Sequence, residues 1–245
     1  MSRTYPRICV AANLTGDRIE LDTRAAHYVS HVLRLRAGDG IIVFDGQGTE
    51  REASIELMSR QRNVIAGGRF LTPQPPSPTA ITLIQGLIKP DRMDLIVQKA
   101  TELGVSRIVV TRTRYCAVRL SGDRADHKLE HWRRIAISAC EQCGRHFPPD
   151  VGFSPSIVAA VSTLPAGEPV IVLDHGRSPG ALGLGPQLDA VTVVVGPEGG
   201  FSEDEIEMLV ARDYEFVRLG PRTLRAETAA IVACALAQTR WGDLD

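Results

Sequence analysis

No stretch of this sequence approaches the roughly 20 consecutive apolar residues of a membrane-spanning helix, and its opening residues, MSRTYPRICV, carry no signal-peptide core. A cytoplasmic location with no membrane partner is expected. The 5 cysteines are an odd and scattered set, which argues against a disulfide framework and for a reducing compartment. There is no G-x-x-x-x-G-K-[ST] phosphate loop and no G-x-S-x-G nucleophile elbow, so those chemistries lack their parts. His27 and His31 have a spacing that can bind zinc from one helix face. With no H-E-x-x-H pattern and no Cys pair nearby, they read better as ordinary surface or core histidines. Cys140 and Cys143 form a C-x-x-C near an expected helix end, and Cys9, Cys116 and Cys234 supply no second pair. No metal is expected. Internal repeats are absent, and the only biased tract is 71–79, LTPQPPSPT.

The sequence does have the makings of an ordinary globular chain, with 245 residues, 44% hydrophobic and 23% charged, enough for one large or two modest domains. Its net charge of −1 is unevenly spread. Residues 1–72 sum to +2 and 85–150 to +4, 73–84 carry no charge, and 151–245 sum to −7. A nucleic-acid partner would be met by the first two-thirds of the chain. Such imbalances also mark plain solvated faces, and charge alone does not choose.

In chain order, residues 1–72 read as a small β-rich domain with strands at 7–10, 18–21, 40–44, 51–57 and 63–70. Asp45, Gly46 and Gly48 supply turn chemistry. One helix interrupts them, from Thr23 as N-cap to about Leu35, with Ala26, Tyr28, Val29, Val32 and Leu33 on its apolar face and Gly38 past its end. Arg34 and Arg36 beyond it suit phosphate. The proline-rich 73–79 reads as a stiff linker. A second domain, 80–245, opens with a buried strand, 80–85, and a helix from Pro90 to Leu103. That helix buries Met93, Ile96, Val97 and Ala100 and stops at Gly104. A strand at 106–111 completes a βαβ unit. A connector with Arg112, Arg114, Arg119 and Arg124 around Tyr115 leads to a helix over 126–142. Basic side chains with an aromatic among them suit single-stranded RNA.

The last third organises the chain. A strand at 170–173 ends at Asp174-His175-Gly176, and a glycine- and proline-rich loop runs to Leu188. The apolar run 191–195 is the pattern of a strand buried on both faces, as in a parallel sheet. It breaks into Gly196, Pro197, Glu198, Gly199 and Gly200, where glycine lets backbone approach a ligand or take φ > 0. Ser202 and Glu205 form a capping box. A strand at 215–219 runs into Gly220-Pro221-Arg222, and a small-residue helix spans 226–237. Arg225 and Glu227 flank its start, where Glu227 or Thr228 would otherwise serve only as capping groups. Ligands of open α/β sheets sit beyond the carboxyl ends of the strands, which places the expected site at these loops.

GPEGGFSEDEIE followed by LGPRTLRAETAA resembles the 16S ribosomal RNA uridine-N3 methyltransferase family, part of the knotted SPOUT superfamily. His27, the run from His31 to Arg34, Gly38-Asp39 and Phe44-Asp45-Gly46 resemble that family's PUA-like domain. Lys89 with QKATELGV at 98–105 resembles its first catalytic-domain motif, and Trp132, Arg133, Ile135, Ala136 and Glu141-Gln142 with Gly144-Arg145 its central helix. The chain departs from the family pattern at Cys143, at His146 and along the connector 113–120.

The resemblance implies an α/β fold, with a deep trefoil knot and parallel sheet following a small N-terminal β-barrel. It also implies a homodimer and S-adenosyl-L-methionine as cofactor, with 16S rRNA or the 30S subunit as partner. By position, cofactor contacts fall on Leu173, Asp174, His175, Gly196, Pro197, Glu198, Gly199, Gly200, Leu219, Gly220, Leu224, Arg225, Thr228 and Ala229. RNA contacts are expected from Arg7, Arg34, Arg36, Lys89, Arg114 and Arg145. Arg225 would stabilise a developing uracil oxyanion. Glu227 would accept the N3 proton or orient Arg225. The second role is favoured, because an adjacent arginine weakens a carboxylate as a base. The competing readings are a ribose 2′-O-methyltransferase of the same superfamily and a catalytically silent RNA-binding protein.

Overall fold

The computed structural model describes residues 5–244 other than 60, 61, 73, 117–119, 121 and 177–185. Arg119 of the basic connector and most of the expected 176–188 loop therefore lie outside the described residues. The chain forms two compact units, Met1–Pro75 with Cys140–Pro148, and Pro76–Ala139 with Pro149–Asp245.

In the first unit, β1 (Arg7–Cys9) and β2 (Arg18–Glu20) precede α1 (Thr23–His27), which continues as a π-helical turn over Tyr28–Val32. β3 (Gly40–Phe44), β4 (Glu50–Met58) and β5 (Asn63–Phe70) follow, and the sheet order is β1-β3-β4-β5-β2. Only β1–β3 is parallel. Among the described residues no ladder joins β2 back to β1, so the expected barrel takes the form of a five-stranded sheet. Strand side chains alternate between faces, and one set, including Ile8, Ile19, Ile41, Val43, Ile55 and Ile65, closes a core over Ala25, Ala26 and Val29. The helix begins one residue earlier than expected. Asp22, not Thr23, is the N-cap, and its carboxylate accepts from the Ala25 N–H at 2.9 Å. A charged acceptor at a helix N-terminus gains from the helix dipole as well as the hydrogen bond.

The 140–148 segment is held in this unit by two buried carboxylates. Glu141 accepts from the Cys9 N–H at 3.0 Å and pairs with Arg24 at 3.2 Å. Glu50 bridges Arg7 at 2.6 Å and the His146 ring at 2.8 Å. Arg7 also donates to the Cys140 and Arg145 carbonyls and lies over the Phe44 ring. Burial pushes the Cys140 thiol up to about 12 and the Cys9 thiol up to about 11. Cys140 therefore stays a thiol at neutral pH, which does not suit a redox pair.

The second unit is built on β6 (Ala80–Gly86), β7 (Arg107–Thr111), β8 (Asp150–Ser154), β9 (Val170–Leu173), β10 (Ala190–Val195) and β11 (Glu215–Val217). All pair in parallel, in the order β11-β9-β10-β6-β7-β8. Period-2 alternation divides each strand between two helical layers. Val191, Val193 and Val195 of β10 face a core shared with α2 (Pro90–Glu102), α3 (Asp123–Cys143) and α6 (Ala226–Trp241). Val194 faces the opposite layer, α4 (Ile157–Val161) and α5 (Glu203–Val210). A sheet covered on both sides explains why β10 reads as continuous valine rather than as an alternating strand.

Candidate active site

Leu173, Val195 and Val217, the last residues of β9, β10 and β11, open onto a cavity of about 660 Å³. Three loops form its walls, one after each strand. Lys89 and Arg92 at the start of α2, together with Tyr115, complete the lining.

The middle loop is a close-packed turn. Gly86, at the end of β6, lies so near it that a Cβ there would sit 2.7 Å from the nitrogen of Pro197, and a Cβ on Gly199 would sit 2.9 Å from the Cβ of Tyr115. Gln85, fully buried, donates to the carbonyls of Gly86 at 2.8 Å and Gly196 at 3.3 Å, fastening the loop to the neighbouring strand. Gly200 takes φ +70°, the left-handed region that glycine enters without steric cost. The expected capping box then starts α5, with Ser202 and Glu205 bonded reciprocally. The other oxygen of Glu205 accepts from the Arg114 N–H at 2.9 Å, which ties the connector to the same helix.

Arg225 is the N-cap of α6 with extended backbone and no side-chain cap bond, so neither Glu227 nor Thr228 caps this helix. Glu227 is only 8% exposed. One of its oxygens is ion-paired with Arg92, and the other, Oε2, is buried without a hydrogen-bond partner. No hydrogen bond or ion pair joins Glu227 to Arg225. The expected orienting contact is therefore replaced by one to Arg92, which reaches across from the first turn of α2.

Most of the expected cofactor residues come together here. Leu173, Asp174, His175, Gly196, Pro197, Glu198, Gly199, Gly200, Leu219, Leu224, Arg225 and Ala229 all line the cavity. Gly220 and Thr228 do not. Gly220 turns the chain with φ +74°, and Thr228 is exposed on α6. Of the expected RNA contacts, Lys89 lines the cavity, Arg114 is exposed beside it in sequence to Tyr115, and Arg34 and Arg36 are exposed in the first unit. Arg145 is half-buried, and Arg7 is spent on Glu50 and two carbonyls.

Sequence reasoning passed over Arg92, Arg218 and Phe201, and named Tyr115 only as part of a basic connector. All four line the cavity. A usable signal existed for Arg92, which lies one helical turn from Lys89 and so points to the same side. His27 and His31 stack face to face, with centroids 4.5 Å apart. Among the described residues no group of three or more His, Cys, Asp or Glu could hold a metal.

Such a site suits a flat polar ligand held mainly by backbone. Glycine walls allow close approach, and the cations Lys89, Arg92, Arg218, Arg222 and Arg225 outnumber the acids Asp174, Glu198 and Glu227. An unpartnered buried carboxylate oxygen awaits a donor. These features define a nucleotide-type site at the carboxyl edge of a parallel α/β sheet.

Comparison with known proteins gives the class. A family model for an RNA methyltransferase domain matches residues 75–238, and one for an RNA methyltransferase PUA domain matches residues 21–62. The fold and site are those of an RNA methyltransferase. A ribosomal RNA small subunit methyltransferase E of Buchnera aphidicola is 30% identical, covering 100% of both chains. The solved structure of the enzyme of that name from Neisseria gonorrhoeae, bound to S-adenosyl methionine, superposes with a TM-score of 0.91 at 35% identity, over 99% of this chain and 100% of that one. A methyltransferase of Legionella pneumophila with its cofactor SAM bound also gives a TM-score of 0.91, at 33% identity, over 98% of this chain and 100% of that one. This chain belongs to the ribosomal RNA small subunit methyltransferase E family.

Proposed function

We propose that this protein transfers a methyl group from S-adenosyl-L-methionine to N3 of a uridine in the 16S RNA of the small ribosomal subunit, and that it works in the cytoplasm as a homodimer. The single observation that carries the reading is the cavity at the ends of β9, β10 and β11, where two glycine loops meet a cationic rim and a buried carboxylate. When bound, the cofactor supplies the methyl group as an electrophilic sulfonium.

The chain's own residues have three tasks. The loops at 173–175, 196–200 and 219–229 hold the cofactor through main-chain groups, as glycine walls permit. Arg225, exposed at the cavity rim, neutralises charge that develops on a uracil carbonyl oxygen as N3 loses its proton. Lys89, Arg114, Arg34, Arg36 and Arg145 meet RNA phosphates. Arg7 leaves that group, because its guanidinium is already engaged inside the first unit. The PUA-type unit, whose family model matches residues 21–62, anchors the RNA, and the second unit carries the chemistry. The homodimer is supported by α6. One side of this helix is buried through Ala230, Ala233, Cys234 and Ala237, while Ile231, Val232, Ala235 and Leu236 remain partly or fully exposed. An apolar strip of that kind needs a cover.

Calorimetric titration with S-adenosyl-L-methionine, then mass mapping of nucleosides in small-subunit RNA treated with the protein, tests the reading. We expect binding and N3-methyluridine at one position. Methylated ribose would assign the protein to 2′-O chemistry, and RNA binding without cofactor binding would leave a silent binder.

A further inference from the structure

The feature of the cavity that the proposed chemistry does not yet use is the pair Arg92–Glu227. Glu227 enters from the first turn of α6 and Arg92 from the first turn of α2, two helices that pack on the same face of the sheet. The guanidinium holds Oε1, and Oε2 is left buried, without a partner, in a residue that lines the cavity. A buried carboxylate oxygen with no donor is costly in an isolated protein. It is economical where an incoming ligand brings the missing N–H. The cavity also contains Lys89, Arg218, Arg222, Arg225, His175, Asp174, Glu198 and Tyr115, none of which hydrogen-bonds Oε2.

We propose that Glu227 Oε2 is the acceptor for the N3–H of the target uracil, and that Arg92 is a positioning residue that fixes which oxygen of Glu227 faces the substrate. The inference rests on the N3-uridine reading. The Arg92 ion pair weakens Glu227 as a base, so the N3 proton passes to Oε2 only as Arg225 stabilises the charge left on the uracil oxygen, and the N–H bonding pair becomes the nucleophilic pair on N3. Water then takes the proton from the resulting carboxylic acid and restores the carboxylate. Gripped on one side only, the carboxylate cannot rotate to offer Oε1 instead, so its acceptor geometry is set before the base arrives. Arg225 is left to the carbonyl oxygen rather than to Glu227. Proton acceptor and oxyanion partner are then separate side chains, each fixed from a different direction.

The test is a double-mutant cycle on the methyl-transfer rate at saturating cofactor and small ribosomal subunit, with cofactor affinity measured by calorimetry on the same proteins. Glu227→Gln is expected to lower kcat by about 10²-fold or more. Arg92→Met is expected to lower kcat by a similar factor, with KM for RNA and cofactor affinity both within about threefold of wild type. Arg92→Lys, which keeps a cationic donor, should recover most of that loss. The decisive outcome is coupling. In the Glu227→Gln background Arg92→Met should cost no further rate, because Arg92 acts only through that carboxylate. Independent, multiplicative losses in the double variant would overturn the positioning role, as would an Arg92→Met enzyme whose cofactor affinity falls in step with kcat. If Arg92→Met alone does not fold, the double variant, which leaves no unpaired buried charge, is compared directly with Glu227→Gln. Mass mapping of the wild-type product separates failure of the N3 reading from failure of this inference. N3-methyluridine with uncoupled variants sinks only the Arg92–Glu227 assignment.

Discussion

Individual residues in this chain divide into those that hold the fold and those the fold offers to a ligand, and charge alone does not sort them. Arg7 and Arg225 are both arginines at the edge of an element. Arg7 is buried against Glu50, two carbonyls and the Phe44 ring. Truncating it would leave the Glu50 carboxylate dependent on His146 alone. Arg225 is exposed at the cavity with no ion pair among the described residues. We therefore expect Arg225→Ala to fold with wild-type thermal stability and to keep cofactor affinity within about tenfold by calorimetry. Methyl transfer to small-subunit RNA should fall by roughly 10²–10³-fold, the range for loss of one preorganised charge-stabilising group. An activity near wild type would remove Arg225 from the chemistry. Arg225 could be singled out from sequence because it follows a glycine turn and precedes a helix. The engagement of Arg7 inside the first unit could not be foreseen. Its partners Glu50, Cys140 and Arg145 are far away along the chain, and a hydrogen-bond network of that range leaves no local pattern.

At the scale of elements, the strongest features of the site are contacts between backbone segments that only glycine permits. Gly86 closes β6 against the start of the 196–200 loop, and any Cβ there would collide with main-chain atoms of Pro197 rather than with a flexible side chain. Gly86→Ala should therefore displace the loop. The expected cost is about 1–3 kcal/mol of stability, the usual range for overpacking a tight site, and roughly tenfold or more in cofactor affinity, read by denaturant titration and calorimetry. Strands buried on both faces were easy to read, as β9 and β10 show: short apolar runs bounded by Gly, Pro or Asp have few other uses. β8 and α4 were missed. β8 (DVGFS) is an edge strand paired on one side only and carries few apolar residues, and α4 is a five-residue helix too short to show a period. α3 starts at Asp123, three residues before the expected 126, because Asp123 and Arg124 resemble the basic connector that precedes them.

For the whole molecule, the parallel sheet and its covering helices were legible, and the identity of the residues that complete the site was only partly so. Glycine loops announce themselves in sequence, whereas Tyr115 joins the site through packing between distant segments. The order of strands in the sheet is carried by no periodicity at all. Assembly is open to a direct test. With Leu236→Glu on the exposed side of α6, we expect sedimentation velocity to show a shift from dimer to monomer. Circular dichroism should remain that of a folded chain, because the substituted side chain lies outside the buried core of the unit.

The register of the central sheet has a consequence for how the protein is made. β6 is paired along its length with β10, Ala80 opposite Ala190 and Gln85 opposite Val195. At ordinary synthesis speeds of about 5–20 residues per second, the edge of β6 that ends at the active-site loop waits on the order of 5–20 s for its partner strand to be translated. Its other edge, against β7, can close sooner. A long-lived open edge carrying Ile81, Leu83 and Ile84 is an invitation to pair with another nascent chain. Slower translation through the 86–190 interval should therefore lower the soluble yield of the protein more than equal slowing after Val217. A methyltransferase that acts on ribosomal RNA thus depends on the pace of the ribosome for its own central sheet.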